Sequence, residues 1–138
     1  MTALGTITST ALVGGVVASA NLTGQVAAIA ATTIFAVVSA GWYRVSWMAH
    51  VTTAATSSST LGGSTAFQVR FTNGGVVKTS NPGSITNYVS AANTTATTTS
   101  GTFNTYCDAS TNLQYLMGYT SSGATPMAYS LDILVERI

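Results

Sequence analysis

Charge is what this chain has least of. It carries four basic and three acidic residues in 138, about 5%, against roughly 25% in an ordinary soluble domain. Four basic side chains cannot line a phosphate backbone, so nucleic acid is not expected as a partner. One His, one Cys and three carboxylates leave metal coordination and acid–base hydrolysis short of parts. Neither a cofactor nor a catalytic activity is expected. A single cysteine, Cys107, also excludes an intramolecular disulfide framework. Continuous apolar runs are missing too. No charge precedes Arg44, yet residues 11–40 are broken repeatedly by Gly, Ser, Thr, Asn and Gln. A spanning helix needs about 20 predominantly apolar residues, and Ala and Gly add little to insertion, so no membrane segment is expected. Residues 2–10 have neither the basic start nor the compact apolar centre of an export signal.

Small residues take the place of charge. There are 25 Thr, 16 Ser, 20 Ala and 13 Gly, together 74 of 138 residues. A mean hydropathy of +0.40 and 9% aromatics argue against disorder. With a net charge of +1, electrostatic repulsion does little to keep copies apart, and assembly is the expectation.

The hydrophobic pattern has period two. In residues 41–53, Tyr43, Val45, Trp47, Ala49 and Val51 alternate with Trp42, Arg44, Ser46, Met48 and His50. Residues 54–64 read as a loop of small polar residues and glycine. A strand follows at 65–72, with Phe67, Val69 and Phe71 facing one way and Gln68 and Arg70 the other. Asn73-Gly74 marks a hairpin turn into 76–80. Further strands are expected at 84–90, through 91–107 with Phe103 and Cys107, at 111–120 with Leu113, Tyr115 and Met117, and at 127–138. Residues 22–34 fit helix or strand equally, since Ala favours one and Thr and Ile the other. Seven or eight strands with regular turn signals and no amphipathic helix predict an all-β, antiparallel sandwich or barrel. Its core is expected to hold Tyr43, Val45, Trp47, Phe67, Val69, Phe71, Phe103, Tyr115, Leu131, Ile133 and Val135.

Residues 40–54 and 128–138 together resemble the small jelly-roll proteins of tailed bacteriophages, whose fold is similar to the tumour-necrosis-factor and complement globular heads. The resemblance is carried by Gly41, Tyr43 and Val45 in an opening strand, and by Tyr129, Leu131, Val135, Glu136 and Arg137 in a closing one. Residues 25–37 look like the lead-in strand of such proteins. The resemblance implies an antiparallel jelly-roll sandwich over 26–138. Residues 1–25 hold too few large apolar groups to fold alone but enough to order on a surface, and are expected to form an extended N-terminal arm that binds a neighbouring chain or the capsid. It implies a structural virion protein that decorates or stabilises the capsid surface as a homotrimer, with the major capsid protein or other virion proteins as partners. The alternative is the receptor- or glycan-binding head of a head or tail fibre.

Particular residues sharpen this reading. Trp42, Met48, Leu116 and Leu134 fall on the non-core faces of their strands, where a solvated sandwich places polar groups, and are expected at a subunit interface. Arg44 shares such a face with Asp132 and Glu136, and an ion pair with one of them is expected. Lys78 is expected in solvent. His50 has no ligand partner in its neighbourhood and reads as a half-buried or contact histidine. Cys107 reads as a small buried apolar residue. Trp42, Tyr88, Tyr106 and Tyr119 are candidates for a sugar-stacking platform in the alternative reading, and for core or contact residues otherwise. The glycine pairs at 14–15, 62–63 and 74–75 lack the context of a phosphate loop.

Overall fold

Alternation this regular needs a second apolar layer to bury it, and the computed structural model supplies one. It describes residues 14–61, 67–80, 95 and 98–138. Among these there is no helix. The strands are β1 (Gly15–Gln25), β2 (Ile29–Val37), β3 (Gly41–Thr53), β4 (Ser58–Leu61), β5 (Gln68–Asn73), β6 (Val76–Ser80), β7 (Thr98–Cys107), β8 (Thr111–Met117), β9 (Tyr119–Ser122) and β10 (Ala128–Arg137). A first antiparallel sheet has the order β1-β10-β3-β7, a second has β2-β8-β5-β6, and β4 and β9 form a small ribbon.

Inward-pointing residues of both sheets make one core. Tyr43, Val45, Trp47, Ala49 and Val51 of β3 and Tyr129, Leu131, Ile133 and Val135 of β10 meet Val69 and Phe71 of β5 and Leu113, Tyr115 and Met117 of β8. The Trp47 ring stacks on Phe67 at 4.6 Å between centroids, and Phe67 lies 6.4 Å from Tyr115. Of the eleven expected core residues, Phe103 alone is only half-buried; it closes the sandwich edge against Phe71, 5.7 Å away. Buried tyrosines keep their hydroxyls satisfied on loop carbonyls: Tyr129 donates to Ala27 O, Tyr119 to Met127 O and Tyr43 to Ser39 O, each at 2.8 Å.

Several expectations need correction. Gly15–Gln25 does not belong to an arm. It is β1, paired along β10 from Gly15 opposite Arg137 to Gln25 opposite Tyr129. Without it, β10 would present an unpaired edge of N–H and C=O groups, and Ala18, Ala20 and Leu22 would lose their contact with the core. Removing residues 2–20 therefore deletes half an edge strand, not a dispensable tail. Residues 1–13 lie outside the described residues. The ambiguous stretch 22–34 is extended throughout its paired parts, as the end of β1 and the start of β2. The loop expected at 54–64 contains β4, whose Ser59 and Leu61 are buried and which pairs with β9. Residues 111–120 do not form one strand: β8 stops at Met117, and Tyr119 enters the separate ribbon. The strand expected at 84–90 lies outside the described residues.

The β5–β6 hairpin turns one residue later than expected. Asn73 pairs with Val76, which leaves Gly74 and Gly75 as the two-residue loop. Their φ values of 64° and 73° are the left-handed pair that a type I′ turn requires. The Asp108 carboxylate accepts from both loop amides, Gly75 N at 2.8 Å and Gly74 N at 3.3 Å, while Asp108 N donates to Thr72 O at 2.9 Å.

Candidate interaction surface

The outer face of the first sheet is built by the phase of its strands. With Tyr43, Val45 and Trp47 turned inward, Trp42, Arg44, Ser46, Met48 and His50 must point out. Register then sets their neighbours. Arg44 lies opposite Glu136 and Asn104, Ser46 opposite Leu134 and Thr102, Met48 opposite Asp132 and Ser100, and His50 opposite Ser130 and Thr98. On the far side of β10, Ser19 faces Leu134 and Asn21 faces Asp132.

The result is a sparsely charged, partly apolar surface. Trp42 is 54% exposed and Met48 41%, and Leu134 is half-buried between them and β1. A shallow concavity of about 430 Å³ is lined by Ser19, Asn21, Ser46, Met48, Asp132 and Leu134. At one end of this face Trp42 O accepts from Ile138 N at 3.0 Å, and Ile138 and Val16, the latter opposite Glu136, add to the exposed apolar area there. The Trp42 ring meets Tyr106 edge-on at 5.9 Å.

Two of its three charges are paired with each other. Arg44 Nε donates to Glu136 Oε2 at 2.8 Å, and that hydrogen bond and the Glu136 charge raise the Arg44 pKa further. Asp132 is not Arg44's partner; it accepts from Asn21 Nδ2. Arg137 donates to Ala40 O and lies 6.0 Å from the centre of the Tyr43 ring, which explains why no carboxylate is needed beside it. Because the Arg44–Glu136 pair is partly exposed and the Lys78 side chain has no partner among the described residues, Arg44→Ala is expected to lower the melting temperature more than Lys78→Ala. Glu136→Gln should match Arg44→Ala, and combining the two should add nothing further, as read in a thermal double-mutant cycle.

Three of the four expected interface residues, Trp42, Met48 and Leu134, share this face. Leu116 does not: it sits half-buried on the outer face of the second sheet, opposite Gln68. The four-membered aromatic platform is not assembled either. Trp42 and Tyr106 are together, Tyr119 belongs to the β4–β9 ribbon beside Tyr129, and Tyr88 lies outside the described residues.

Cys107 is fully buried, and loss of solvation, with the nearby Asp108 charge, pushes its thiol up to about 11. Tyr129 is pushed up to about 12 by burial, with Tyr119 and Tyr115 contributing. Among the described residues, no three of His, Cys, Asp and Glu come together as metal ligands would. No protein-family model matches the chain, and no curated protein matches it in sequence.

Proposed function

We propose that this protein is a structural component of a bacteriophage particle, a jelly-roll domain that assembles as a symmetric trimer and decorates or stabilises the capsid surface. The jelly-roll assignment draws support from nested antiparallel pairing: β1 with β10, β2 with β8, β3 with β7 and β5 with β6. An antiparallel ribbon rolled over itself gives two four-stranded sheets in this order. The phage assignment rests on the resemblance of residues 40–54 and 128–138.

The observation that carries the assembly role is the outer face of the first sheet. Trp42, Met48 and Leu134 are apolar where a free sandwich would be polar, and their surroundings are Ser, Thr, Asn and His50, with one self-neutralised ion pair and Asp132 held by Asn21. With Asp132 as its one uncompensated charge, such a face brings few like charges together when it meets another copy. Light scattering at micromolar concentration is expected to report a trimer. Met48→Arg places its charge opposite Asp132, so the fold tolerates it, and should weaken association roughly tenfold or more with an unchanged circular dichroism spectrum. Wild-type monomers would sink the assembly role, and imaging of intact particles tests the capsid position. The second reading, a glycan-binding head, is favoured by the exposed Trp42 ring; in that case Trp42→Ala abolishes sugar binding and leaves the trimer intact.

A further inference from the structure

The Arg70 side chain has no ion pair or hydrogen bond among the described residues. The sequence holds three acidic side chains. Asp108 caps the Gly74-Gly75 turn, Asp132 is held by Asn21, and Glu136 is paired with Arg44. Yet Arg70 is half-buried on the outer face of the second sheet, on the central strand β5. A partly desolvated guanidinium without a counter-ion is unfavourable unless a ligand or solvent completes it.

The backbone opens a space beside it. The β5–β8 ladder has three pairs and stops at Arg70 opposite Gln114, although β5 continues to Asn73 and β8 begins at Thr111. Beyond that pair no further β5–β8 partners are matched, and the end of β5 is tied instead to the β7–β8 turn, where Asp108 N donates to Thr72 O. The notch between β5 and β8, about 250 Å³, is lined by Arg70, Thr72, Val77, Thr111, Asn112 and Gln114. Gln114 Nε2 donates to Thr33 Oγ1 at 3.3 Å, which leaves its carbonyl oxygen as an acceptor. The Asn112 amide makes no hydrogen bond among the described residues.

We propose that this notch binds an acidic saccharide, with Arg70 clamping the carboxylate. A guanidinium fork matches a carboxylate with two parallel hydrogen bonds. A single cation suits a singly charged group; a phosphate or a polyanion would require more than the chain provides. Apart from Phe71 and Val77, the remaining lining is neutral amide and hydroxyl, offering donors and acceptors in the mixture that sugar hydroxyls need. Val77 gives an apolar wall for the C–H face of a ring. An acidic protein side chain would use the fork and leave the amides unpaired, which disfavours it. The notch lies on the opposite side of the sandwich from Trp42 and Met48, so it remains accessible whichever partner covers the first sheet.

The test is a nuclear magnetic resonance titration of the whole protein with glucuronate, galacturonate and N-acetylneuraminate, using glucose, acetate and an aspartate-rich peptide as comparators. At least one acidic sugar should give saturable shifts at the Arg70 Nε and Asn112 side-chain signals, and bind tenfold or more tightly than glucose or acetate. Arg70→Gln, with an unchanged circular dichroism spectrum, should lose that binding tenfold or more. Asn112→Ala should weaken the sugar several-fold and leave acetate unaffected. Each of four results overturns the proposal: no acidic sugar saturates, glucose binds equally well, acetate binds equally well so that only an anion contact exists, or the peptide binds more tightly than every sugar.

Discussion

Replacing Trp47 by alanine is expected to cost about 3–5 kcal/mol of folding stability, the range for removing a large aromatic from a packed core. Single domains hold roughly 5–15 kcal/mol in all, so the variant should be largely unfolded on modest warming. Two contributions combine. The indole is almost wholly buried, and it stacks on Phe67, which in turn lies against Tyr115. Its removal leaves a void in a ring stack whose members come from separate segments, β3, the lead-in to β5 and β8, and cannot all collapse into the space. Trp47→Phe keeps a ring in contact and should recover much of the loss. Trp42, five residues earlier on the same strand, provides the contrast: Trp42→Ala gives up little beyond an edge-on contact with Tyr106 and should cost about 1 kcal/mol or less. Urea titration followed by circular dichroism measures all three. Equal losses at positions 42 and 47 would contradict the assignment of inner and outer faces.

Asp108→Ala should produce the next largest effect, about 1.5–3 kcal/mol, the range for hydrogen bonds to a charged group. Its carboxylate receives both amides of the Gly74-Gly75 loop from the neighbouring β7–β8 turn. Losing it frees the loop from the end of the sandwich. Asp108→Asn retains one acceptor oxygen and should recover part of the stability. Amide exchange should quicken at Gly74, Gly75 and Val76 before it quickens in β3 or β10. Unchanged exchange there would mean that the turn holds its shape without Asp108.

Large side chains in strict alternation made β3 and β10 readable. Tyr43 to Val51 and Tyr129 to Val135 leave one choice of inner face, and the inner face so chosen is the buried one. The edge strand β1 carries no comparable signal, because Ala18 and Ala20 are small and its strand state comes from pairing with β10, more than a hundred residues away. β4 is four residues of Ser, Thr and Leu whose partner, β9, begins only after Gly118 interrupts the preceding run. Asn73-Gly74 and Gly74-Gly75 are both good turn dipeptides, and the pairing of β5 with β6 decides between them.

The same distinction holds for the surface. Phase told that Trp42, Met48, Leu116 and Leu134 point away from the core. It could not tell which sheet each belongs to, and Leu116 is on the other one. Arg70 has an ordinary outward position in the alternation. What sets it apart is the place where the β5–β8 ladder ends and the commitment of all three carboxylates elsewhere, both of which arise from long-range pairing.

The position of β10 between β1 and β3 also governs how the chain can be made. Asn21 and Asp132, hydrogen-bonded neighbours in the finished sheet, are separated by 111 residues. On the ribosome, β1 emerges early and has no partner in its sheet until β10 follows it out. Until then the edges of β1 and β3 that will flank β10 stay open, with Ala20, Leu22, Val45 and Trp47 unburied beside them. Closing the sheet must therefore wait until β10 has been made and, with partners so distant in sequence, is slow, on the order of milliseconds to seconds. The nascent chain is most exposed to mispairing with its neighbours in that interval. Yield of soluble protein should accordingly depend on synthesis rate and temperature more steeply than the stability of the finished fold would suggest.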